Sequence, residues 1–381
     1  VAVRCRVADE VPIAAQLSGG LDSTLVAGLL HRELGSSGRP EADLRLCAMV
    51  YPDHPEADER EWIERASSFL GRRAELCLPR SPGAADFAEW ARTWRDFPPY
   101  PGDLECDRMM QLASDSGARV MFTGNGGDDW FWGVEGVGWA TVRRLAAASG
   151  PTALRRAARA MVGALVRATM PRGVLRSVRR LRRPSWRWIP DTFSRRTDLA
   201  DRVTVRPRTD LDPRVPGSAI AAKLDDGFLI HGREIAERYA AAWQFEERHP
   251  LYDRRVIEFA ASLPGDQLYR DGRHRFVLRG AAHGLVPEEI RIRSSKAEFS
   301  HIVTEALLQP DVVRALGSLA IADAGWVRGD QVATMLAEVE TLYQNGATGY
   351  TRWAWPLWMV FGIETWYRAV FLPDREHSGS R

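Results

Sequence analysis

The sequence predicts an α/β protein, in which helices cover both faces of a parallel sheet, followed by a mostly helical C-terminal part. Short apolar segments alternate with amphipathic helical segments through the first third of the chain, and this order is typical of parallel sheets. After residue 226 the apolar spacing is mostly helical, for example over residues 230–247 and 353–366. The early pattern predicts strands at residues 11–17, 44–50, 74–78 and 118–123, and helices at 22–34, 58–70 and 106–116.

Composition indicates a soluble globular protein with a large core. The chain has 381 residues, of which 45% are hydrophobic and 27% charged, and its formal net charge is +2. Its four cysteines form no CxxC pair, which argues against a structural zinc site, and we expect Cys47 and Cys77 to be buried, reduced thiols. No signal peptide is visible, and the apolar stretch at 353–363 is too short to span a bilayer. We therefore expect a cytoplasmic protein with no membrane partner.

Composition also divides the chain into three parts: an α/β core at 1–140, an arginine-rich insertion at 141–225, and a mostly helical part at 226–381. Residues 143–208 contain 18 arginines and three aspartates but no lysine or glutamate. The insertion is expected to be helical over residues 154–169. Its arginines are either solvated side chains on helices or a surface that attracts an acidic or peptide partner.

The strongest local signal is the segment Ser18-Gly19-Gly20-Leu21-Asp22-Ser23, between the first predicted strand and the first predicted helix. Two glycines allow a tight turn that brings backbone amides close to a phosphate, and the helix start adds free N–H groups. Asp22 would repel a bare phosphate, so its presence suggests a magnesium ion between the two. The other interpretation is a serine-capped glycine turn without a ligand.

A second glycine-rich segment, residues 123–129, follows the predicted strand at 118–123. Its three glycines expose backbone amides, and Asp128 and Asp129 supply carboxylates. If the two strands are neighbours, Asp22 and Asp128 can share one magnesium ion. Without the first segment, a solvated acidic turn would be the simpler interpretation.

Together these segments resemble the asparagine synthetase superfamily of PP-loop ATP pyrophosphatases, whose fold is the adenine nucleotide alpha hydrolase-like α/β fold. Three later segments, at 247–253, 275–279 and 293–300, match the family in order and spacing, so the resemblance extends from about residue 13 to residue 367. It implies ATP and Mg²⁺ as cofactors, with Asp22 and Asp128 as metal ligands and Lys296 as a catalytic residue beside the reacting phosphate and acyl group. It also implies that the nucleotide and its phosphates are bound by Ser18, Gly19, Gly20, Leu21, Asp22, Ser23, Val50, Gly124, Asn125 and Gly126.

Composition adds an argument for Lys296. The chain has only two lysines, Lys223 and Lys296, against fifty arginines. Where arginine fills almost every cationic position, a lysine indicates a need for a compact point charge. The alternative is a surface lysine without a specific role.

The sequence departs from the family at two places. Asparagine synthetases carry an N-terminal glutaminase, whereas this chain begins almost directly at the first predicted strand, so we expect no glutaminase domain in it. The loop position that is Glu in asparagine synthetases and Tyr in β-lactam synthetases is Asn125 here, and an amide cannot act as a general base near neutral pH. This chain therefore lacks, at this position, the group that accepts the proton of the amine in either relative.

The resemblance implies an enzyme that activates a carboxylate with ATP, releases pyrophosphate and couples the acyl-adenylate to an amine. The arginine-rich middle and the aromatic helical end are most similar to lasso-peptide macrolactam cyclases, for which the partners would be a peptide substrate and a protein that processes its leader. A small-molecule carboxylate is the alternative substrate, as in asparagine synthetase using ammonia or in β-lactam synthetase. Two non-enzymatic alternatives are a nucleotide-dependent RNA-binding module, although we do not expect a nucleic-acid partner, and a catalytically dead scaffold, against which the intact Asp22, Asp128 and Lys296 argue.

Overall fold

The computed structural model describes residues 1–7, 12–38, 43–133, 188–197, 199 and 216–372. Most of the arginine-rich insertion, including the helix predicted at 154–169, lies outside these residues. Within them, all four cysteines are free thiols. Cys47 and Cys77 are buried as predicted, and burial raises the pKa of the Cys47 thiol to about 12.

The centre of the fold is a five-stranded parallel sheet with the strand order β3-β2-β1-β4-β5. This arrangement confirms the predicted fold class. A small antiparallel hairpin, β6–β7, lies outside the sheet. The strands are β1 (Ile13–Gln16), β2 (Leu44–Met49), β3 (Ala74–Cys77), β4 (Val120–Phe122), β5 (Glu246–Arg248), β6 (Tyr269–Arg270) and β7 (Arg273–His274).

Helices account for most of the remaining described residues, and they dominate the C-terminal part as predicted. The first group is α1 (Leu21–Ser36), α2 (Arg60–Phe69), α3 (Ala84–Trp94), α4 (Pro101–Glu105), α5 (Asp107–Asp115) and α6 (Gly127–Phe131). The second group is α7 (Asp191–Arg196), α8 (Pro216–Leu224), α9 (Gly227–Ala242), α10 (Arg254–Ser262), α11 (Gly265–Leu268), α12 (Phe276–Ala281), α13 (Glu288–Ile292), α14 (Ser300–Leu307), α15 (Pro310–Leu316), α16 (Ala320–Asp323), α17 (Gly329–Gln344) and α18 (Thr351–Phe371).

The helix predicted over 230–247 is wrong at its C-terminal end. Helix α9 stops at Ala242, and Gln244 has a left-handed φ of 59°, which a continuing helix does not allow. The chain then forms β5, in which Glu247 pairs with Met121 of β4. The three residues of β5 are all charged, so no apolar alternation marked them as a strand; their pairing with β4 fixes them instead.

Side chains alternate between the two faces of the sheet, and each face has its own apolar core. Ala14 and Met121 point to the core formed with α3, α5, α17 and α18. Their neighbours Ala15 and Phe122 point to the core formed with α1 and α2. A sheet buried on both faces fixes the register of its strands, because a one-residue slip would exchange the two sets of side chains.

The aromatic C-terminal helix packs across the first of these cores. Trp358 and Phe361 of α18 meet the ring of Phe87 on α3 at centroid distances of 5.0 and 5.6 Å. Pro356 lies inside this helix. No helix within the described ranges combines the length and the apolar character needed to cross a membrane.

Gly28 lets α1 approach the segment that precedes α13. A Cβ at this position would lie 2.2 Å from the carbonyl oxygen of Leu285, whereas one at Gly35 on the same helix would meet nothing within 4 Å. We expect Gly28→Ala to lower the free energy of unfolding by about 1–3 kcal/mol, because the backbone of Leu285 must move. Gly35→Ala should leave it unchanged or raise it by up to about 1 kcal/mol. Equal unfolding midpoints in urea for the two variants would contradict this packing.

Candidate active site

The first glycine-rich loop lies where β1 ends and α1 begins. Gly19 has a left-handed φ of 72°, and a Cβ there would lie 2.6 Å from the Cβ of Trp62, so only glycine fits this turn. The hydroxyls of Ser18 and Ser23 share a hydrogen bond of 2.9 Å, and the backbone N–H of Ser18 donates to Ser23 Oγ at 3.1 Å. These bonds close the loop over the start of α1, where backbone N–H groups are available to an anion.

The second glycine-rich loop follows β4, the neighbour of β1, and touches the first loop directly. A Cβ on Gly124 would lie 2.4 Å from the backbone nitrogen of Ser23, and one on Gly127 would lie 2.2 Å from Cγ of Asp22. Glycine at both positions therefore allows the loops to meet. The strand order reverses between β1 and β4, and ligands of open α/β sheets bind at such a point.

Two cations join the carboxylates of these loops. Arg275 Nη1 lies 2.6 Å from Asp22 Oδ2 and 3.0 Å from Asp128 Oδ1. Lys296 Nζ lies 2.5 Å from Asp128 Oδ2. Arg275 itself has a left-handed φ of 59°, and its side chain is only 13% exposed. Four charged groups from distant parts of the sequence thus form one cluster.

The carboxylates of this cluster fit a divalent cation. Asp22 Oδ1 is buried without a hydrogen-bond partner among the described residues, and Asp128 Oδ1 is also buried and lacks a hydrogen bond there, although Arg275 lies near it. Burial and, to a smaller extent, the nearby charge of Asp128 raise the pKa of Asp22 to about 6, even though the charge of Arg275 opposes this shift. Carboxylate oxygens are the ligands that Mg²⁺ prefers, and a bound cation would offset the burial of this charge.

A cavity of about 270 Å³ opens at this cluster. Nine of the residues predicted from the sequence line it together: Ser18, Gly20, Leu21, Asp22, Ser23, Gly124, Asn125, Asp128 and Lys296. Three others do not line it. Gly19 packs against α2, Val50 is buried at the end of β2, where its N–H donates to the carbonyl of Cys77, and Gly126 packs on the ring of Tyr252.

The cavity also contains charged residues that the sequence did not single out. Arg275, Arg279 and Arg293 line it, together with Glu59. Arg293 Nη1 lies 2.6 Å from Glu59 Oε1, and both side chains are nearly buried. Burial lowers the pKa of Arg279 and raises that of Glu59. The sequence segments at 275–279 and 293–300 served only as family landmarks, and nothing in the linear sequence shows that their arginines turn into the cavity.

The segment at 247–253 is joined to the second loop by hydrogen bonds. His249 Nδ1 and Thr123 Oγ1 share a hydrogen bond of 2.6 Å, and the N–H of Asn125 donates to the same oxygen at 3.2 Å. The Tyr252 hydroxyl donates to Asp129 Oδ2 at 2.6 Å. Burial lowers the pKa of His249 to about 4, so its ring is neutral at pH 7 and takes part as a hydrogen-bonding group. This segment thereby holds Asn125 and Asp129 in place.

Similarity to known proteins agrees with this geometry. The asparagine synthase family matches residues 1–368. "Asparagine synthetase [glutamine-hydrolyzing] 3" of Bacillus subtilis is 20% identical over 324 residues, which cover 77% of this chain and 45% of that protein. "Amidase chyE" of Penicillium rubens is 30% identical over 144 residues, and "Amidase chry2" of Gibberella zeae is 29% identical over 145 residues, in each case 35% of this chain and 21% of the relative. The chain thus aligns with less than half the length of each of these relatives, but because the family match spans nearly all of it, the chain belongs to the asparagine synthase family.

Proposed function

We propose that this protein is an ATP-dependent carbon–nitrogen ligase that adenylates a carboxylate, releases pyrophosphate and transfers the acyl group to an amine. The observation that carries the proposal is the meeting of Asp22, Asp128, Arg275 and Lys296 in one cavity at the ends of β1 and β4. Two carboxylates suited to Mg²⁺ beside two cations suited to phosphate are the groups that phosphoryl and adenylyl chemistry requires.

Each part of the cavity has a task in this proposal. The 18–23 loop binds the phosphates through backbone N–H groups and the hydroxyls of Ser18 and Ser23. Asp22 and Asp128 would hold the magnesium ion, which supplies Lewis-acid neutralisation of the phosphate charge when bound. Arg275 and Lys296 stabilise the negative charge that grows as the carboxylate attacks the α-phosphorus. The side chain of Lys296 is 63% exposed, so it can also reach an acyl group that enters from solvent.

For the amine we propose the N-terminus of a peptide, which reacts with an Asp or Glu side chain of the same peptide to form a macrolactam. Asn125 lines the cavity but cannot accept a proton from an amine near neutral pH. An α-amino group, with an ordinary pKa of about 7.7–8.0, is substantially neutral near pH 8 and needs less help than a lysine amine with a pKa of about 10.4. Binding both ends of one peptide also replaces a bimolecular encounter by a local one. Asparagine formation from aspartate is the second candidate, because the Bacillus subtilis relative is an asparagine synthetase.

The proposal is tested by ATP–pyrophosphate exchange with the purified protein. Free aspartate is compared with linear peptides that carry an internal Asp or Glu, and with the same peptides in which that residue is Asn or Gln. Exchange that requires the peptide carboxylate supports the macrolactam proposal, and the product should then be one water lighter than the linear peptide by mass spectrometry. Exchange with aspartate alone points to asparagine formation, and exchange with neither class contradicts the proposed substrates.

A further inference from the structure

A second cluster of metal-ligating side chains lies outside the cavity described above. His54 and Glu56 are in the loop between β2 and α2, and His301 is the second residue of α14. One potential ligand atom of each lies within 4.8 Å of the others. His54 Nε2 is also 3.0 Å from Oε1 of Glu305, one turn further along α14. Two imidazoles and one carboxylate therefore converge from two separate parts of the chain, with Glu305 beside His54.

His301 is the unusual member of this cluster. Its side chain is 3% exposed, yet neither of its ring nitrogens has a hydrogen-bond partner within the described part of the chain. An imidazole always carries a donor or a lone pair on each ring nitrogen, and buried polar groups of native proteins are nearly always satisfied. Both ring nitrogens of His301 are therefore available to bind a ligand.

We propose that His54, Glu56 and His301 bind a transition-metal ion of the zinc class, with Glu305 as the neighbouring carboxylate that orients His54. Neutral imidazole with carboxylate is a ligand set that suits Zn²⁺ and its neighbours, whereas Mg²⁺ prefers oxygen ligands alone. The site is thus chemically distinct from the carboxylate pair of Asp22 and Asp128.

The surroundings of the cluster favour a structural role for the metal. The Tyr343 hydroxyl donates to Glu305 Oε1 at 2.7 Å and orients that carboxylate. The ring of His54 stacks on that of His301 at 3.9 Å, so metal binding requires the partly exposed His54 ring to turn until the in-plane lone pairs of both rings meet at the ion. The backbone N–H of Glu298 already donates to the carbonyl of Glu56 at 3.1 Å. A metal would strengthen this link between the loop and α14.

The link between the loop after β2 and α14 affects the active-site cavity because Lys296 lies close to it in the chain. This residue belongs to the segment 293–299, which has neither helix nor strand, and it lies four residues before the start of α14. A metal that ties α14 to the loop after β2 restricts the end of this segment. We therefore assign the ion a positioning role and give it no part in the chemical step.

The test is a titration of the full chain, first treated with chelator, with Zn²⁺ by calorimetry and with Co²⁺ by visible absorption, in the absence of ATP. We expect one zinc-class site with micromolar or tighter affinity and a rise in melting temperature on binding. His301→Phe, which keeps a buried ring, and His54→Ala should each weaken binding at least about 100-fold. His283→Ala serves as the matched control, because His283 is exposed, lies between α12 and α13 and does not belong to the cluster, so its replacement should leave affinity unchanged.

Asp128→Asn separates this site from the proposed magnesium site, since it should not affect Zn²⁺ binding here. If His301→Phe fails to fold, His54→Ala decides the question, because His54 is partly exposed and its removal disturbs the core less. Binding weaker than about 100 μM, or equal binding by wild type and His54→Ala, would overturn the proposal and indicate an ordered water between the histidines instead. The outcome does not depend on the proposed ligase activity, because no substrate is present.

Discussion

Replacing Lys296 with alanine should lower kcat of amide formation at least about 100-fold while changing the affinity for MgATP little. The ammonium group lies 2.5 Å from Asp128 and lines the same cavity as the 18–23 loop. A cation at this position acts on charge that develops in the transition state, and removal of such a group typically costs about 10²–10³ in rate. Ground-state phosphates keep the loop amides and Arg275, so binding should survive.

Two further variants show whether the loss of rate comes from the ammonium group at residue 296 or from the loss of any positive charge. Lys296→Arg keeps the charge but replaces a compact ammonium by a planar fork, and we expect only partial recovery of rate. Arg254→Ala is a control for the loss of one positive charge, because the Arg254 side chain is 88% exposed on α10 and pairs with Glu258 on the same helix. Single-turnover kinetics measure the rate of the chemical step, and nucleotide titration measures the affinity for MgATP. Full activity in Lys296→Ala would show that the lysine is a surface residue without a catalytic role.

The arrangement of the strands was predictable because each glycine-rich loop follows an apolar strand. Buried parallel strands have a strong sequence pattern, and the two loops contain residues whose combination is rare outside phosphate sites. The sequence left the adjacency of β1 and β4 as a condition for a shared cation, and the structure shows that the two strands are neighbours. Strand β5 escaped prediction because Glu246, Glu247 and Arg248 have no apolar pattern and depend on β4 for their conformation.

The cationic half of the site was only partly predictable. Lys296 was visible because lysine is rare in this chain, whereas Arg275 is one of fifty arginines and has no comparable signal. Its position depends on a left-handed backbone at residue 275 and on α12, which starts at the next residue. Such features are set by tertiary packing, so a linear pattern does not reveal them. The same reason hides the convergence of His54 with His301, which are 247 residues apart.

Asp22→Asn is expected to stabilise the free protein while removing its activity. Burial raises the pKa of Asp22 from 3.8 to about 6, so between these values the native state binds more protons than the unfolded state. The free energy of unfolding of the wild type therefore falls as pH rises from about 4 to 6, and ionised Asp22 costs about 3 kcal/mol above pH 6. Asparagine resembles the protonated carboxyl and cannot ionise, which removes this cost.

At pH 7.5 the free energy of unfolding of Asp22→Asn should accordingly exceed that of the wild type by up to about 3 kcal/mol, measured by urea denaturation without nucleotide or Mg²⁺. Pyrophosphate exchange should fall at least about 100-fold, because the amide is a poorer ligand than a carboxylate for the cation. Asp266→Asn, at a carboxylate that is 65% exposed on α11, should change neither quantity much. A less stable Asp22→Asn protein, together with a wild type whose stability does not fall between pH 4 and 6, would mean that the ion pair with Arg275 outweighs burial. In that case the ionised form of Asp22 carries no energetic cost in the free protein, and the free site is already arranged for metal binding.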